Sequence, residues 1–180
     1  MDALIFVVDT LIGLYLLVLL LRLLLQWSRA DFRNPIARAI VQVTNPVIMP
    51  LRRILPPIGR VDTASVVAVV LVAAVKLMAV QLLATQLVPG LGLPPPLLLV
   101  RALLVAVTRL LLQTYFYAIL LYAVLSFLAP GTQSPAQSLL YSICEPVLRP
   151  VRRNIPAIAG IDLSALWVCI AIQALLLLLR

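Results

Sequence analysis

The sequence predicts an all-α membrane protein with four transmembrane helices, arranged as two parallel repeats of helix, motif loop and helix. Three observations predict this fold class. The chain is 64% hydrophobic and only 11% charged, whereas a soluble domain carries about 25% charged residues. Four apolar stretches are long enough to cross a bilayer. A polar, proline-rich motif interrupts the apolar sequence twice, and its two copies lie one hundred positions apart.

The motif occupies residues 46–62 and 146–162. Eight of its seventeen aligned positions are identical, which indicates an internal duplication. We therefore divide the chain into a first repeat, residues 1–90, and a second repeat, residues 91–180. The candidate docking residues for a protein partner or for lipid are the prolines, arginines and aspartates shared by the copies: Pro46, Pro50, Arg52, Arg53, Pro56 and Asp62, and Pro146, Pro150, Arg152, Arg153, Pro156 and Asp162.

The four predicted spans cover about residues 3–27, 63–88, 97–128 and 163–179. Crossing the hydrocarbon core takes about 20 residues, so the third span is long enough to tilt or project. The last is short, and we assign it as a span because the duplication makes it the counterpart of the second. Two crossings in each repeat give both repeats the same orientation, with a pseudo-two-fold axis along the membrane normal.

Basic residues concentrate beside the two motif loops. The positive-inside rule therefore places these loops in the cytoplasm and both termini outside. The basic residues on the predicted cytoplasmic face are Arg29, Arg33, Arg38, Arg52, Arg53, Arg60, Arg149, Arg152 and Arg153.

Each loop opens with a helix-start signal, Asn34-Pro35 in the first repeat and Ser134-Pro135 in the second. An Asn or Ser cap followed by proline at the first helical position is typical of a helix N-terminus. Short amphipathic interfacial helices are predicted over 36–44 and 136–144.

Pro46 and Pro146 are expected to end these short helices, because a proline inside a helix removes a hydrogen bond. Asp62 and Asp162 are expected to cap the second and fourth spans, where a carboxylate meets the positive end of the helix dipole.

Asp9, Lys76 and Arg109 lie deep in apolar sequence, where a charge needs a partner or water. Positions 9 and 109 are equivalent in the repeats, so we predict an Asp9–Arg109 ion pair with Lys76 nearby. The pair has two interpretations: it specifies the helix bundle, or it lines a transport pathway. Arg22 lies near the cytoplasmic end of its span and is expected to snorkel to the headgroups.

The Arg-Arg pairs also have two interpretations. In one, they anchor the loops to anionic headgroups. In the other, Arg52, Arg53, Arg152 and Arg153 form one docking patch for an acidic partner.

Composition bears on function as well. The chain has no histidine, six acidic residues and two cysteines, Cys144 and Cys169, without a CxxC partner. No catalytic set, metal site or cofactor site is predicted, and an enzyme is not expected. The net charge is +8, but direct nucleic-acid binding is not expected either, because most basic residues flank apolar spans. Homo-oligomerisation is compatible with the sequence.

The doubled Pro/Arg motif between apolar spans resembles the YggT (YlmG) family of small bacterial inner-membrane proteins. The Asn-Pro-x-x-x-Pro-Leu-Arg-Arg run over 45–53 is similar to the family pattern, and the likeness covers the whole chain. The sequence departs from the usual Gly-Gly-x-Asp-Leu-Ser-Pro ending in both copies, and Glu145 replaces the usual Asn at the start of the second motif.

The resemblance implies an organising or assembly role at the inner membrane. Bacterial members are associated with envelope and osmotic stress tolerance and with cell division, and plastid relatives with assembling a cytochrome complex and distributing nucleoids. The function predicted is a scaffold or assembly factor. The alternative is a component of an oligomeric ion channel or transporter that uses Asp9, Lys76 and Arg109.

Overall fold

The computed structural model describes residues 2–58, 62–87, 94–128, 134–154 and 164–179. Within these ranges the regular elements are six helices. They are α1 (Asp2–Trp27), α2 (Pro35–Ile54), α3 (Thr63–Leu87), α4 (Pro96–Leu128), α5 (Pro135–Asn154) and α6 (Ser164–Leu178). The all-helical prediction is confirmed for the described residues, and α2 and α5 begin and end one hundred positions apart.

Among the residues that the structure describes, three helices are long and apolar enough to cross a membrane. These stretches are Ala3–Trp27, Thr63–Gln86 and Pro96–Leu128, with 25, 24 and 33 residues. The predicted fourth span is an apolar helix of 15 residues, α6, which at 1.5 Å per residue is ~22 Å long. Large apolar side chains such as Phe6 and Phe127 are 70% and 85% exposed, as expected for surfaces that face lipid.

The predicted helix starts of α2 and α5 are confirmed. The Asn34 side-chain oxygen accepts a hydrogen bond from the Ile36 amide at 2.9 Å, and the Ser134 hydroxyl accepts one from the Gln137 amide at 3.1 Å. Each cap is followed by a proline, whose missing N–H costs nothing at this position.

The expectation that Pro46 and Pro146 end their helices is wrong. Both helices are 20 residues long and continue past these prolines to Ile54 and Asn154, so each contains two internal prolines. These prolines are four residues apart, so they share one helix face, and all four are exposed. The carbonyls that lose their amide partners therefore lie on the outer face, where water can satisfy them, while the opposite face packs without interruption.

The face of each amphipathic helix opposite the prolines packs against the apolar helices. In the first repeat, buried Ile48 of α2 joins Leu19 of α1 and Ala68 of α3 in one apolar cluster. In the second, Leu148 of α5 joins Ile119 of α4 and other residues of α4 and α6. Each amphipathic helix thus lies across the pair of apolar helices of its own repeat.

The two amphipathic helices also meet each other near their N-termini. The Asn34 amide nitrogen donates to the Pro135 carbonyl at 2.6 Å and to the Ser138 hydroxyl at 3.2 Å. Beneath these bonds, Ile40 of α2 and Ile143 of α5 belong to one cluster with the end of α1. Asn34 therefore caps its own helix and links the two repeats.

The turn after α1 has a defined geometry. Arg29 has a φ of 53°, and the Ala30 amide donates to the Leu25 carbonyl while the Arg29 amide donates to Gln26. This is a Schellman ending, with the αL position occupied by arginine rather than glycine. It redirects the chain so that α2 returns along the end of α1.

We predict that Ile48→Ala destabilises the protein far more than Met49→Ala. Ile48 is 0% exposed and Met49 is 54% exposed, so only the first change leaves a cavity, at a cost of about 2–5 kcal/mol. Unfolding of the detergent-solubilised protein by added SDS, followed by tryptophan fluorescence, measures the difference. Equal destabilisation by the two changes would contradict the packing of α2 described above.

Candidate functional site

Arg22 is buried at the junction of α1 and α2 and is 2% exposed. Its Nη1 donates to the Thr44 hydroxyl at 2.7 Å and to the Asn45 side-chain oxygen at 2.9 Å, with a longer bond of 3.3 Å to the Val41 carbonyl. Thr44 is itself fully buried and donates to the Ile40 carbonyl at 2.7 Å. One guanidinium thus ties a long apolar helix to the amphipathic helix.

The expectation that Arg22 snorkels to the headgroups at the surface is wrong. The side chain turns instead towards α2, where Thr44 and Asn45 bind its guanidinium group and the residue is 2% exposed. The polar pair Thr44-Asn45 was the available signal. Thr44 lies one helical turn from Ile40 and from Ile48, and all three are buried, so a polar side chain on this face requires a buried partner.

Asp62 is the centre of a second polar network in the first repeat, and its side chain is 9% exposed. Its Oδ2 accepts hydrogen bonds from three residues on three helices. Arg52 of α2 donates through Nη2 at 2.5 Å and Nε at 3.2 Å, Gln26 of α1 donates at 3.0 Å, and Ser65 of α3 donates at 2.7 Å. One carboxylate oxygen therefore joins all three helices of the repeat.

Asp62 occupies the capping position that the sequence predicts for α3. Its backbone carbonyl accepts from the Val66 amide at 3.1 Å, at the start of the helix. Its carboxylate bonds the side chain of Ser65 rather than acting as a simple backbone cap. Burial alone would raise the pKa of Asp62, but the hydrogen bonds from Arg52, Ser65 and Gln26 outweigh burial and hold this pKa at about 2.

The second motif copy uses different chemistry. Arg152 pairs with Glu145 at 3.0 Å, and Glu145 stands where the first copy has Asn45. Tyr122 takes the position of Arg22 and packs against Tyr141, with ring centroids 6.2 Å apart. The predicted site residues Pro156 and Asp162 lie outside the described residues.

Cys144 takes the position of Thr44 and is also fully buried. Burial first, and then neighbouring Cys169, raise the pKa of the Cys144 thiol to about 12, against a smaller opposing effect of Arg152. The thiol is therefore neutral at physiological pH and acts as a small apolar group in the core.

The motif arginines divide into two kinds. Arg52 and Arg152 make ion pairs with acidic residues of their own repeat. Arg53 and Arg153 are exposed at the ends of α2 and α5, one helical turn after exposed Met49 and Arg149. The observed bonds between α2 and α5 lie at the opposite, N-terminal ends of these helices.

A separate cavity of about 740 Å³ lies between α1, α3 and α4, and we call it the α1–α3–α4 cavity. Four charged residues line it: Asp9, Lys76, Arg101 and Arg109. Lys76 Nζ bonds the Asp9 carboxylate at 3.0 Å. A Cβ atom on Gly13 would approach this nitrogen to 3.1 Å, so the glycine makes room for the ammonium group.

The predicted Asp9–Arg109 ion pair is wrong. Asp9 pairs with Lys76 because α1 packs chiefly against α3 and only slightly against α4. Arg109 instead donates to the backbone carbonyl of Leu179, just beyond α6. Asp9, Lys76 and Arg109 nevertheless all line the same cavity.

Together, the long apolar helices and the buried charged clusters define an all-helical protein with the character of an integral membrane protein. The model of the CCB3/YggT family matches residues 1–83 and 101–180. The chain belongs to this family.

Curated relatives agree with this assignment. An uncharacterized protein of Pseudomonas aeruginosa is 44% identical over 171 residues, which cover 95% of this chain and 85% of that protein. The uncharacterized protein YggT of Escherichia coli K12 is 34% identical, covering 91% of this chain and 82% of YggT. An uncharacterized protein of Vibrio alginolyticus, from the proC 3' region, is 38% identical, with coverages of 96% and 91%. No solved structure matches the chain.

We predict that Asp62→Asn destabilises the protein by about 2 kcal/mol at pH 7, because one pKa unit corresponds to about 1.4 kcal/mol and the ordinary value of 3.8 falls to about 2. A depressed carboxyl pKa stabilises the fold above the unfolded-state pKa, and this stability is lost as pH falls through the folded-state pKa. The difference between wild type and variant should therefore shrink between pH 4 and pH 2.

SDS unfolding at a series of pH values measures this difference. Glu145→Gln in the second repeat is the matched control for removing a carboxylate charge. Glu145 is more exposed than Asp62 and has a single described arginine partner. A difference between wild type and Asp62→Asn that stays constant down to pH 2 would contradict the role of the ionised carboxylate.

Proposed function

We propose that this protein is a non-enzymatic scaffold or assembly factor of the bacterial inner membrane. It would act in envelope organisation, stress tolerance or cell division, and dock a protein partner or anionic lipid through its two motif segments. The observation that carries this proposal is the division of the motif arginines. Arg52 and Arg152 form ion pairs with acidic residues of their own repeat, while Arg53 and Arg153 lie exposed at the ends of α2 and α5, outside these pairs.

The topology proposed with this function has four crossings. The duplication makes α6 the counterpart of α3, so we assign α6 as the fourth crossing and place the repeats in parallel. The basic residues around α2 and α5 then lie on the cytoplasmic face and both termini on the periplasmic face. In this topology α2 and α5 lie along the membrane surface, since their exposed faces combine arginines with apolar residues such as Val43 and Tyr141.

The shape of the motif supports docking over simple attachment to lipid. Attraction to anionic headgroups needs only charge, at about 1 kcal/mol per basic residue. Here Pro46 and Pro50 occupy the same exposed face as Arg53, and Pro146 and Pro150 repeat that arrangement with Arg153. Fixed backbone angles at these prolines give the face a defined shape, which suits recognition of a particular acidic surface.

We predict that the double change Arg53→Glu and Arg153→Glu releases co-purifying partner proteins without unfolding the protein. Both side chains are exposed, so their reversal should cost little stability. The control is Arg29→Glu with Arg33→Glu, which reverses two exposed charges on the same face outside the motif. Quantitative mass spectrometry of crosslinked complexes from native membranes measures the loss, with a photoreactive residue in place of exposed Met49.

Partners retained by the Arg53/Arg153 variant, or lost equally from the control, would contradict docking through the motif. A stably inserted variant that still complements a deletion strain would contradict its importance for function.

The α1–α3–α4 cavity favours a second candidate function, a component of an oligomeric channel or transporter. Its lining contains three basic residues and one acid, Asp9, whose side chain is 49% exposed. Charges at this depth are typical of ion pathways. Four crossings are few for a pore, so this function requires several copies around a shared axis.

We predict for this candidate that Lys76→Met changes ion flux through proteoliposomes, because it removes the cation bound to Asp9 from the cavity. Thr85→Ala on the same helix is the control, since Thr85 does not line the cavity. Flux is measured with an ion-sensitive dye trapped inside the vesicles. Absence of flux with the wild-type protein would reject the channel candidate and leave the scaffold proposal untouched.

A further inference from the structure

A second cavity, of about 560 Å³, lies between α1, α2 and the turn that joins them, and we call it the α1–α2 cavity. Its polar lining consists of Arg22, Arg38 and Arg52 with Gln26, Gln42 and Asn45. None of its described lining residues is a carboxylate. The nearest acid in the hydrogen-bond network is Asp62, which neutralises one of the three guanidinium groups. The cavity therefore carries an excess of positive charge.

Arg22 has hydrogen-bonding capacity to spare at this cavity. All three of its hydrogen bonds to described residues are donated by Nη1. Its Nε is buried and has no hydrogen-bond partner among the described residues. The edge formed by Nε and Nη2 is the one that guanidinium uses for bidentate binding of phosphate or carboxylate oxygens. A donor that is buried and unpaired destabilises the folded state, so an oxyanion bound at this edge would stabilise it.

The second repeat supplies an internal comparison. At the positions equivalent to Arg22, Gln26 and Arg38, it has Tyr122, Ser126 and Ser138. The position of Asn45 holds Glu145, which pairs with Arg152. The cationic lining is thus specific to the first repeat, although both repeats share the Pro/Arg motif that we assign to docking.

The position of the cavity indicates the source of the anion. Arg22 lies five residues before the end of α1, or ~8 Å at 1.5 Å per residue, which is the depth of a headgroup near the surface of the bilayer. Phe32 and Val41 add apolar walls, and Trp27, 67% exposed, lies at the end of α1. Exposed aromatic residues at this level are typical of the membrane interface.

We propose that the α1–α2 cavity is a binding site for a phosphate group, and specifically for the headgroup phosphate of an anionic phospholipid. The phosphate would take the free edge of Arg22, with Arg38 and the amide groups of Gln42 and Asn45 as further donors. This inference builds on the membrane placement proposed above, and it is independent of docking through Arg53 and Arg153.

The test uses Trp27 as a local reporter. In a Trp167→Phe background Trp27 is the sole tryptophan, since the chain has two. The full chain is reconstituted in phosphatidylcholine bilayers with increasing fractions of brominated phosphatidylglycerol, and quenching gives the preference for the anionic lipid. The measurement is made at about 1 M salt, where screening over ~3 Å leaves only charges in direct contact effective.

We expect a preference for phosphatidylglycerol that Arg38→Gln reduces about fivefold, the effect of one basic residue on an anionic headgroup. Arg22→Lys keeps the charge but loses the bidentate edge, and it should also weaken the preference. The matched control is Arg33→Gln, which removes an exposed arginine of the turn between α1 and α2 that does not line the cavity. This control, and the Arg53→Glu/Arg153→Glu variant, should keep the wild-type preference.

A second arm separates lipid from free anion. Inorganic phosphate is added to lipid-free protein in neutral detergent, and thermal unfolding is followed. Stabilisation by phosphate that depends on Arg38, without a preference for phosphatidylglycerol, supports the phosphate site and assigns it to a free anion. The proposal is overturned if neither the lipid preference nor the phosphate effect is larger in wild type than in Arg38→Gln. It is also overturned if Arg33→Gln has the same effect as Arg38→Gln.

Discussion

The first repeat depends on one buried carboxylate. One oxygen of Asp62 accepts hydrogen bonds from Arg52, Gln26 and Ser65. These donors belong to the three helices of the first repeat. Desolvating an ion pair is costly unless further hydrogen bonds satisfy it. The Gln26 amide and the Ser65 hydroxyl supply them to Oδ2, while Oδ1 is buried without a partner among the described residues. Removal of the carboxylate would leave Arg52 uncompensated and would detach α2 from the start of α3. The same displacement would open the α1–α2 cavity, because Arg52 is part of its lining.

Much of the fold follows from local sequence. Apolar length predicts the long helices, and the Asn34-Pro35 and Ser134-Pro135 signals predict the starts of α2 and α5, because capping depends on a few adjacent residues. The ends of these helices do not follow in the same way. Whether a proline ends a helix depends on which face it occupies and what covers that face, and tertiary packing decides both.

For the charged residues, too, the sequence predicts some features, while tertiary packing decides the partners. The duplication predicts a similar depth for Asp9 and Arg109, because the two positions are equivalent in the repeats, and both residues line one cavity with Lys76. It cannot predict that Asp9 bonds Lys76, because this depends on which helix lies closest to α1. The span that contains Arg22 does not predict the partners of Arg22 either, because Thr44 and Asn45 belong to another helix. The two copies also differ at these partner positions, so similarity of the motif does not give similarity of the site.

The bonds of Asn34 to Pro135 and Ser138 have a consequence for biogenesis. The residues of the Arg22 and Asp62 networks all lie between positions 22 and 65, so every one of them is added to the chain before α4, which begins at Pro96. Neither network contains a residue of the second repeat. The bonds of the Asn34 amide nitrogen do, because Pro135 and Ser138 belong to α5. The order of synthesis therefore permits both networks to form before the repeats are joined at Asn34.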